Sequence, residues 1–249
     1  CEAIVAGAVL CGPDDDDDAS GYDGPPGTFT DSHDGRGYTL HVPPGYDPST
    51  PIPLVIGFHG AGDSGSNFYA VADYTGWTSA AAPDHFALLI PDTLSPYSDF
   101  AVWSGNPNND MDEMVTEMDS VLDLVDHIGE HYRLDFHRIH AFGFSDGGLF
   151  IGVAGLSRFE AFAALVVTGY GWGGFYPMGA PPRRGPVMFI CGTADNFHSY
   201  AQQSESFLAS EGHPTRMDSI SGASHSFSTL MGATSPADVW AWIGPESLP

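Results

Sequence analysis

The residues with the strongest chemical meaning are Gly143-Phe144-Ser145-Asp146-Gly147, a Gly-x-Ser-x-Gly that runs on into Gly148. Before it stands Arg138-Ile139-His140-Ala141-Phe142, short, apolar and rich in strand formers. After it, Leu149 to Leu156 reads as the start of a buried helix. Glycines two positions either side of the serine permit a sharp, strained turn between strand and helix. The turn leaves a hydroxyl standing at the C-terminal edge of a sheet, placed to attack a carbonyl carbon. That hydroxyl is a weak nucleophile until a histidine takes its proton and an acid orients the histidine. In a chain with 31 glycines the bland alternative is an ordinary Gly/Ser turn, so the partners decide.

Downstream of Ser145 the order acid, then base, is met once in a convincing way. Pro186-Val187-Met188-Phe189-Ile190-Cys191 is a buried-strand run that ends in Gly192-Thr193-Ala194-Asp195. An aspartate just past a parallel strand lies at the same sheet edge as the turn. The small-residue loop Ser221-Gly222-Ala223-Ser224-His225 follows, with room between for a helix (Ser199 to Ser210) and a strand (Thr215 to Ile220). His225 is the candidate base and Asp195 the candidate acid. His213 before Pro214, His198 before a helix and Asp218 inside a strand are weaker rivals. Acyl transfer also needs donors for an oxyanion. Asp146 N–H, next to the nucleophile, is the first candidate. The loop His59-Gly60-Ala61-Gly62-Asp63-Ser64-Gly65, after strand Leu54 to Phe58, supplies the second, Ala61 N–H. This loop has no Lys-Ser/Thr and no Gly-x-Gly-x-x-Gly, so it does not read as a phosphate cradle. His59 is expected to brace the loop.

The elements that must position these groups alternate along the chain. Strands are expected at 37–42, 54–58, 86–90, 138–142, 162–168, 186–191 and 215–220. Helices are expected at 68–82, 112–132, 147–157 and 199–210, with a closing helix through Val239-Trp240-Ala241-Trp242-Ile243. Met114, Met118, Val121, Val125, Ile128 and Tyr132 form a helical stripe. Strands alternating with helices imply an α/β fold with a mostly parallel, doubly wound sheet flanked by helices.

Five landmarks occur in a fixed order: Phe58-His59-Gly60-Ala61-Gly62, Ile90-Pro91-Asp92 with Trp103, Gly143-Phe144-Ser145-Asp146-Gly147-Gly148, Gly192-Thr193-Ala194-Asp195, and His225. This order resembles the secreted poly(3-hydroxybutyrate) depolymerase and feruloyl esterase-like branch of the α/β-hydrolases, over about residues 36–243. The resemblance implies a serine esterase with Ser145 as nucleophile, Asp195 as acid, His225 as base, and Ala61 and Asp146 as oxyanion donors. It implies no cofactor. The chain departs from the branch at Asp146, where Asn, Ala, Gln or Met is usual, and around Asn196-Phe197-His198 and Ser224-His225-Ser226-Phe227. A carboxylate at 146 is unfavourable beside an oxyanion unless it points away or is paired.

Composition narrows the partners. The chain has 249 residues, seven basic residues against 32 acidic ones, and a net charge of −25; every basic residue is arginine. Nucleic acid and anionic lipid are disfavoured at this charge. An acidic, lysine-free surface fits either a high-salt habitat or a GC-rich genome. No apolar run reaches the roughly 18 residues that span a bilayer. Ile4 to Leu10, Cys11, Gly12-Pro13 and five aspartates resemble the end of a lipoprotein signal and a solvated tether. Residues 1–27 are expected to be signal remnant and disordered tether, and 28–249 the catalytic domain. Lipid attachment falls on Cys11 or Cys1, a Cys1–Cys11 disulfide being the alternative, and the protein is expected outside the cytoplasm as a monomer. Cys191 reads as a buried small hydrophobe.

His127-Ile128-Gly129-Glu130-His131 matches the zinc-peptidase pattern H-x-x-E-H. It lies opposite the apolar stripe without an evident further ligand, and is expected to be a solvated helix face. No metal is expected. The loop Gly169-Tyr170-Gly171-Trp172-Gly173-Gly174-Phe175-Tyr176 follows a strand and interleaves aromatics with glycines. Tyr170 and Trp172, with Trp103, are candidate walls for an aromatic acyl group or a polyester chain. The expected activity is ester or polyester hydrolysis. The alternatives are a peptidase or acyltransferase on the same residues, or a lipid-anchored binding protein with a degenerate site.

Overall fold

The computed structural model describes residues 21–82, 85–94, 96, 97, 100, 101, 103 and 111–249. Cys1, Cys11 and the run of aspartates lie outside the described residues.

The chain opens with β1 (Gly27–His33) and β2 (Arg36–Val42), an antiparallel pair, and then enters β3 (Ile52–Phe58). Helices α1 (Gly65–Thr75) and α2 (Trp77–Ala81) lead to β4 (Ala87–Pro91). A two-residue hairpin, β5 (Pro96–Tyr97) and β6 (Phe100–Ala101), precedes α3 (Met111–Gly129). The remaining elements are β7 (Leu134–Phe144), α4 (Asp146–Phe150), β8 (Ala164–Thr168), β9 (Val187–Gly192), α5 (His198–Ser210), β10 (Thr215–Ile220), α6 (Phe227–Ala233) and α7 (Pro236–Ile243).

Eight strands form one sheet in the order β1-β2-β4-β3-β7-β8-β9-β10. β2 runs antiparallel to both β1 and β4, and every pairing from β4 through β3, β7, β8 and β9 to β10 is parallel. Strands β3, β4, β8 and β9 are buried at every position, and β7 is buried from Ile139 to Gly143. A parallel sheet covered on both faces demands that continuous apolar pattern. One face packs on α3 and the segment 149–161 through Met118, Val121, Val125, Phe150 and Phe159. The other packs on α1, α2, α6 and α7 through Phe68, Trp77, Phe227, Leu230 and Val239. The apolar stripe of α3 is buried at Met114, Met118, Val121, Val125 and Ile128.

Three departures from the expected elements have local causes. The single helix 68–82 is two helices, because Gly76 takes φ +104° and its N–H closes α1 on Ala72 and Asp73 carbonyls. The helix after the serine changes to a π-helical turn over Ile151–Gly155. Residues 24–27, expected in a disordered tether, are bonded to the fold. Gly24 N–H donates to His131 carbonyl at 3.0 Å, Tyr132 hydroxyl donates to Pro25 carbonyl at 3.0 Å, and β1 begins at Gly27. β1 reads Gly-Thr-Phe-Thr-Asp-Ser-His and is half exposed. A polar edge strand has almost no apolar alternation to detect.

Candidate active site

The turn at Ser145 is held by backbone contacts and one buried hydroxyl. Ser145 adopts φ +56°, ψ −112°, a conformation that non-glycine residues rarely take. A Cβ on Gly143 would collide with the Gly147 carbonyl, and one on Gly147 with the Phe58 carbonyl. Ser145 N–H donates to Thr168 carbonyl at 3.0 Å, and Thr168 hydroxyl donates to Gly143 carbonyl at 2.8 Å. β7, β8 and the end of β3 therefore clamp the strained residue from three sides.

The structure brings Ser145, His225 and Asp195 into one hydrogen-bonded line. His225 Nδ1 lies 2.7 Å from Asp195 Oδ2, and His225 Nε2 lies 2.9 Å from Ser145 Oγ. An ionised carboxylate only accepts, so Nδ1 carries the proton and Nε2 accepts from the serine hydroxyl. The Asp195 side chain is 1% exposed, and its second oxygen accepts Phe197 N–H at 3.0 Å. Two loops are clasped together to achieve this. Ala194 N–H donates to Ala223 carbonyl at 3.0 Å, and Gly222 N–H to Thr193 hydroxyl at 2.8 Å. The bare face of Gly192 is filled by Ala223. Phe144 and Phe197 flank the imidazole, with ring centroids 4.8 and 5.7 Å away. Burial and the adjacent Asp195 push the free Cys191 thiol up to about 12, so it stays protonated.

The rivals are engaged elsewhere. His213 is buried between Gly185 carbonyl and Tyr176 hydroxyl, His198 meets Ser219 hydroxyl, and Asp218 is bidentate to Arg216.

The loop after β3 lies against the nucleophile: a Cβ on Gly60 would sit 3.4 Å from Ser145 Cβ. Ala61 is exposed beside it, and Asp146 opens α4, so both candidate N–H donors border the serine. The Asp146 side chain answers the concern its charge raises. Its Oδ2 accepts Trp103 N–H at 2.8 Å. Burial raises its pKa, and the Trp103 N–H and nearby His59 partly oppose that rise. Trp103 is fully buried against Phe58, Phe150 and His59, and its indole N–H donates to His59 carbonyl at 2.8 Å. Trp103 is thus a strut between the elbow and the loop after β3, which corrects its expected place as a substrate wall: no part of it reaches solvent. His59 braces the same loop through Nδ1, 2.9 Å from Gly60 carbonyl.

Asp92, the end of the Pro-Asp landmark, accepts Gly65 N–H at 2.6 Å and so sets the start of α1. Its own carbonyl accepts from Arg36, a 1% exposed guanidinium paired with Glu117 at 2.9 Å. No sequence signal marked Arg36 or Glu117, because their pairing joins distant segments.

One helical turn after Ser145, at Leu149, begins a cleft of about 390 Å³ lined by Leu149, Tyr170, Trp172, Phe175, Phe197 and Tyr200, among others. Tyr170 stacks near Phe197, which borders His225. Burial and the Asp146 carboxylate push the Tyr170 phenol up. Trp172 shows only one edge. It is 9% exposed, its indole N–H donates to Phe175 carbonyl at 2.9 Å, and its ring fills the bare face of Gly152. Phe175, in the aromatic loop already expected at the site, and Tyr200, which no sequence pattern marked, are the half-exposed aromatics of the wall.

No family model matches the chain, and no curated protein matches it. Solved structures do. A ferulic acid esterase from the anaerobic fungus Anaeromyces mucronatus superposes with a TM-score of 0.67 at 15% identity, over 88% of this chain and 89% of that one. A thermostable esterase gives 0.65 at 21% identity, over 88% of this chain but only 62% of that longer chain. This is the α/β-hydrolase fold. A Bacillus cereus carboxylesterase shares it at a TM-score of 0.57 and 16% identity, over 83% of this chain and 93% of that one. In α/β-hydrolase terms, Ser145 occupies the elbow after the strand next to β3, and Asp195 and His225 follow β9 and β10 at the same C-terminal edge.

Proposed function

We propose that the protein is a serine carboxylic-ester hydrolase acting through an acyl-enzyme. The observation that carries this is the Asp195–His225–Ser145 line at 2.7 and 2.9 Å, ending on a serine forced into a positive-φ turn. His225 removes the Ser145 proton as Oγ attacks the ester carbonyl. The oxyanion forms against Ala61 and Asp146 N–H, one such donor lowering the barrier by about 3 kcal/mol. His225, held by Asp195, then protonates the departing alcohol. Water repeats the cycle on the acyl-serine. The esterases that share the fold support an ester as substrate. The cleft supports a bulky, uncharged acyl group, aromatic or polyester, because among the described residues its wall is aromatic and aliphatic and carries no acidic or basic side chain. The N-terminal pattern supports action outside the cytoplasm, which cell fractionation of the native host tests.

A degenerate binding protein is the rival that Asp146 invited. The carboxylate is held on Trp103 N–H, so the rival loses its motive. The deciding experiment is Ser145→Ala with a soluble aryl ester. Activity should fall by at least about 10⁴-fold while the fold persists, and a fluorophosphonate should label only the wild type. Wild-type turnover by Ser145→Ala would remove the proposal.

A further inference from the structure

At the opposite edge of the sheet, α3 ends in a cluster that the proposed chemistry does not use. One donor atom from each of His127, Glu130 and His131 lies within 4.8 Å of the other two. Backbone bonds set this turn: Glu130 N–H donates to His127 carbonyl at 3.2 Å and His131 N–H to Ile128 carbonyl at 3.0 Å. The H-x-x-E-H spacing alone gives a solvated helix face. The fold adds two supports from other segments. His33 of β1 stacks on His127 with centroids 4.1 Å apart and planes at 10°. Asp23, 108 residues away in sequence, places Oδ1 3.0 Å from His131 Nδ1. That carboxylate fixes Nδ1 as the donor and leaves the Nε2 lone pair to ligate. A carboxylate behind an imidazole is the arrangement that orients metal-binding histidines.

We propose that His127, Glu130 and His131 bind a divalent transition ion, with Zn²⁺ the best match, and that Asp23 orients His131 for it. Two imidazoles and one carboxylate leave a fourth, water-filled position of a tetrahedron. Mg²⁺ and Ca²⁺ prefer all-oxygen shells and do not suit this set. Ligand bonds of about 2.0–2.2 Å put tetrahedral donors roughly 3.4 Å apart, so the three side chains close by about 1 Å through their own torsions. His127, Glu130 and His131 are 31%, 71% and 51% exposed, which leaves them that freedom. The carbonyl end of a 19-residue helix and a net charge of −25 both favour a dication here. Because Gly24 already bonds to His131, the ion would pin residues 21–26 against α3.

The test is isothermal titration of the whole chain with Zn²⁺ in a non-chelating buffer. His127→Ala, His131→Ala and Asp23→Asn are compared with His137→Ala, an exposed histidine outside the cluster. One site with Kd of about 10 μM or tighter is expected. Each of the first three substitutions should weaken it by about tenfold or more, while His137→Ala leaves it unchanged and Mg²⁺ gives no heat. Hydrogen exchange at residues 21–26 should slow when Zn²⁺ is added. Absence of a single site, wild-type affinity in any of the three variants, or unchanged exchange at 21–26 overturns the proposal.

Discussion

Around Ser145 the backbone occupies the space that side chains would need, and so it does at Gly171 at the base of the loop after β8, whereas the outer part of that loop has open space at Gly174 and Gly179. A Cβ at Gly143 or Gly147 meets carbonyl groups, but at Gly174 or Gly179 it meets nothing. Hydrogen bonds fix the Gly143 carbonyl and the Asp195–His225–Ser145 line, and the cleft wall rests largely on ring packing. The difference separates two requirements. Acyl transfer needs one geometry, and only certain residue types permit it. Binding a neutral acyl chain needs apolar area, which many side chains supply. The elbow is therefore written into the residue types, and the wall is written into packing.

The most direct way to break this comparison is to add one methyl group to each region. Gly143→Ala should destabilise the protein by about 3 kcal/mol or more and abolish turnover, since the turn cannot close around the new Cβ. Gly174→Ala should change stability by less than about 0.5 kcal/mol and leave turnover intact. Chemical denaturation and a short-ester assay on both variants check this. A tolerant Gly143 would mean that the elbow is not the constrained region.

Acid should loosen the elbow strand before the cleft, whose titratable groups are tyrosines. His140 lies on β7 beneath Trp240, with both ring nitrogens buried and unpartnered. Burial, reinforced by Arg138, pushes its pKa down to about 3. An unfolded histidine titrates near 6.5, so between those values the unfolded chain binds the extra proton. Stability from neutral His140 is full above pH 6.5 or so and is lost as pH falls toward the folded value. The wild type should lose several kcal/mol more between pH 7 and 4 than His140→Leu does, measured by urea denaturation at both pH values. Parallel losses would place the acid sensitivity elsewhere.

How far the sequence reached follows the same division. Ser145, Asp195 and His225 were legible because Gly-x-Ser-x-Gly, Gly-Thr-Ala-Asp and a small-residue histidine loop each encode a backbone shape at a strand end. The continuous apolar strands β3, β8 and β9 were legible for a similar reason. β1 was not, because its pairing is specified by backbone and its residues are polar. The strut from Asp146 through Trp103 to His59 was invisible, since an isolated tryptophan in a polar loop looks the same as a binding wall. Asp23 escaped notice because its partner, His131, stands 108 residues away.

That strut gives a smaller effect with a clear signature. Trp103→Phe keeps most of the ring packing and deletes the donor to His59 carbonyl. The oxyanion loop should relax, and kcat should fall roughly 10- to 100-fold with KM for a short ester nearly unchanged. Asp146→Asn should stay within about threefold of wild type, because an amide oxygen still accepts Trp103 N–H. A fall in Asp146→Asn as large as in Trp103→Phe would show that the carboxylate's charge is needed as well as its hydrogen bond.

The smallest expected effect belongs to the cleft wall, and it depends on choosing the right ring. Trp172 is a poor probe: its body packs on Phe189 and fills the face of Gly152, so Trp172→Ala would remove about 3–5 kcal/mol of stability and affect all substrates alike. Phe175 is 52% exposed and borders the cleft. Phe175→Ala should leave stability almost untouched and lower kcat/KM for bulky aromatic or polyester-like acyl groups by about 1 kcal/mol, or several-fold. Acetyl esters, too short to reach the ring, should be hydrolysed at the wild-type rate. If Phe175→Ala slows acetyl and bulky esters equally, the wall acts on the elbow itself, and the division between fixed chemistry and adaptable binding does not hold in this protein.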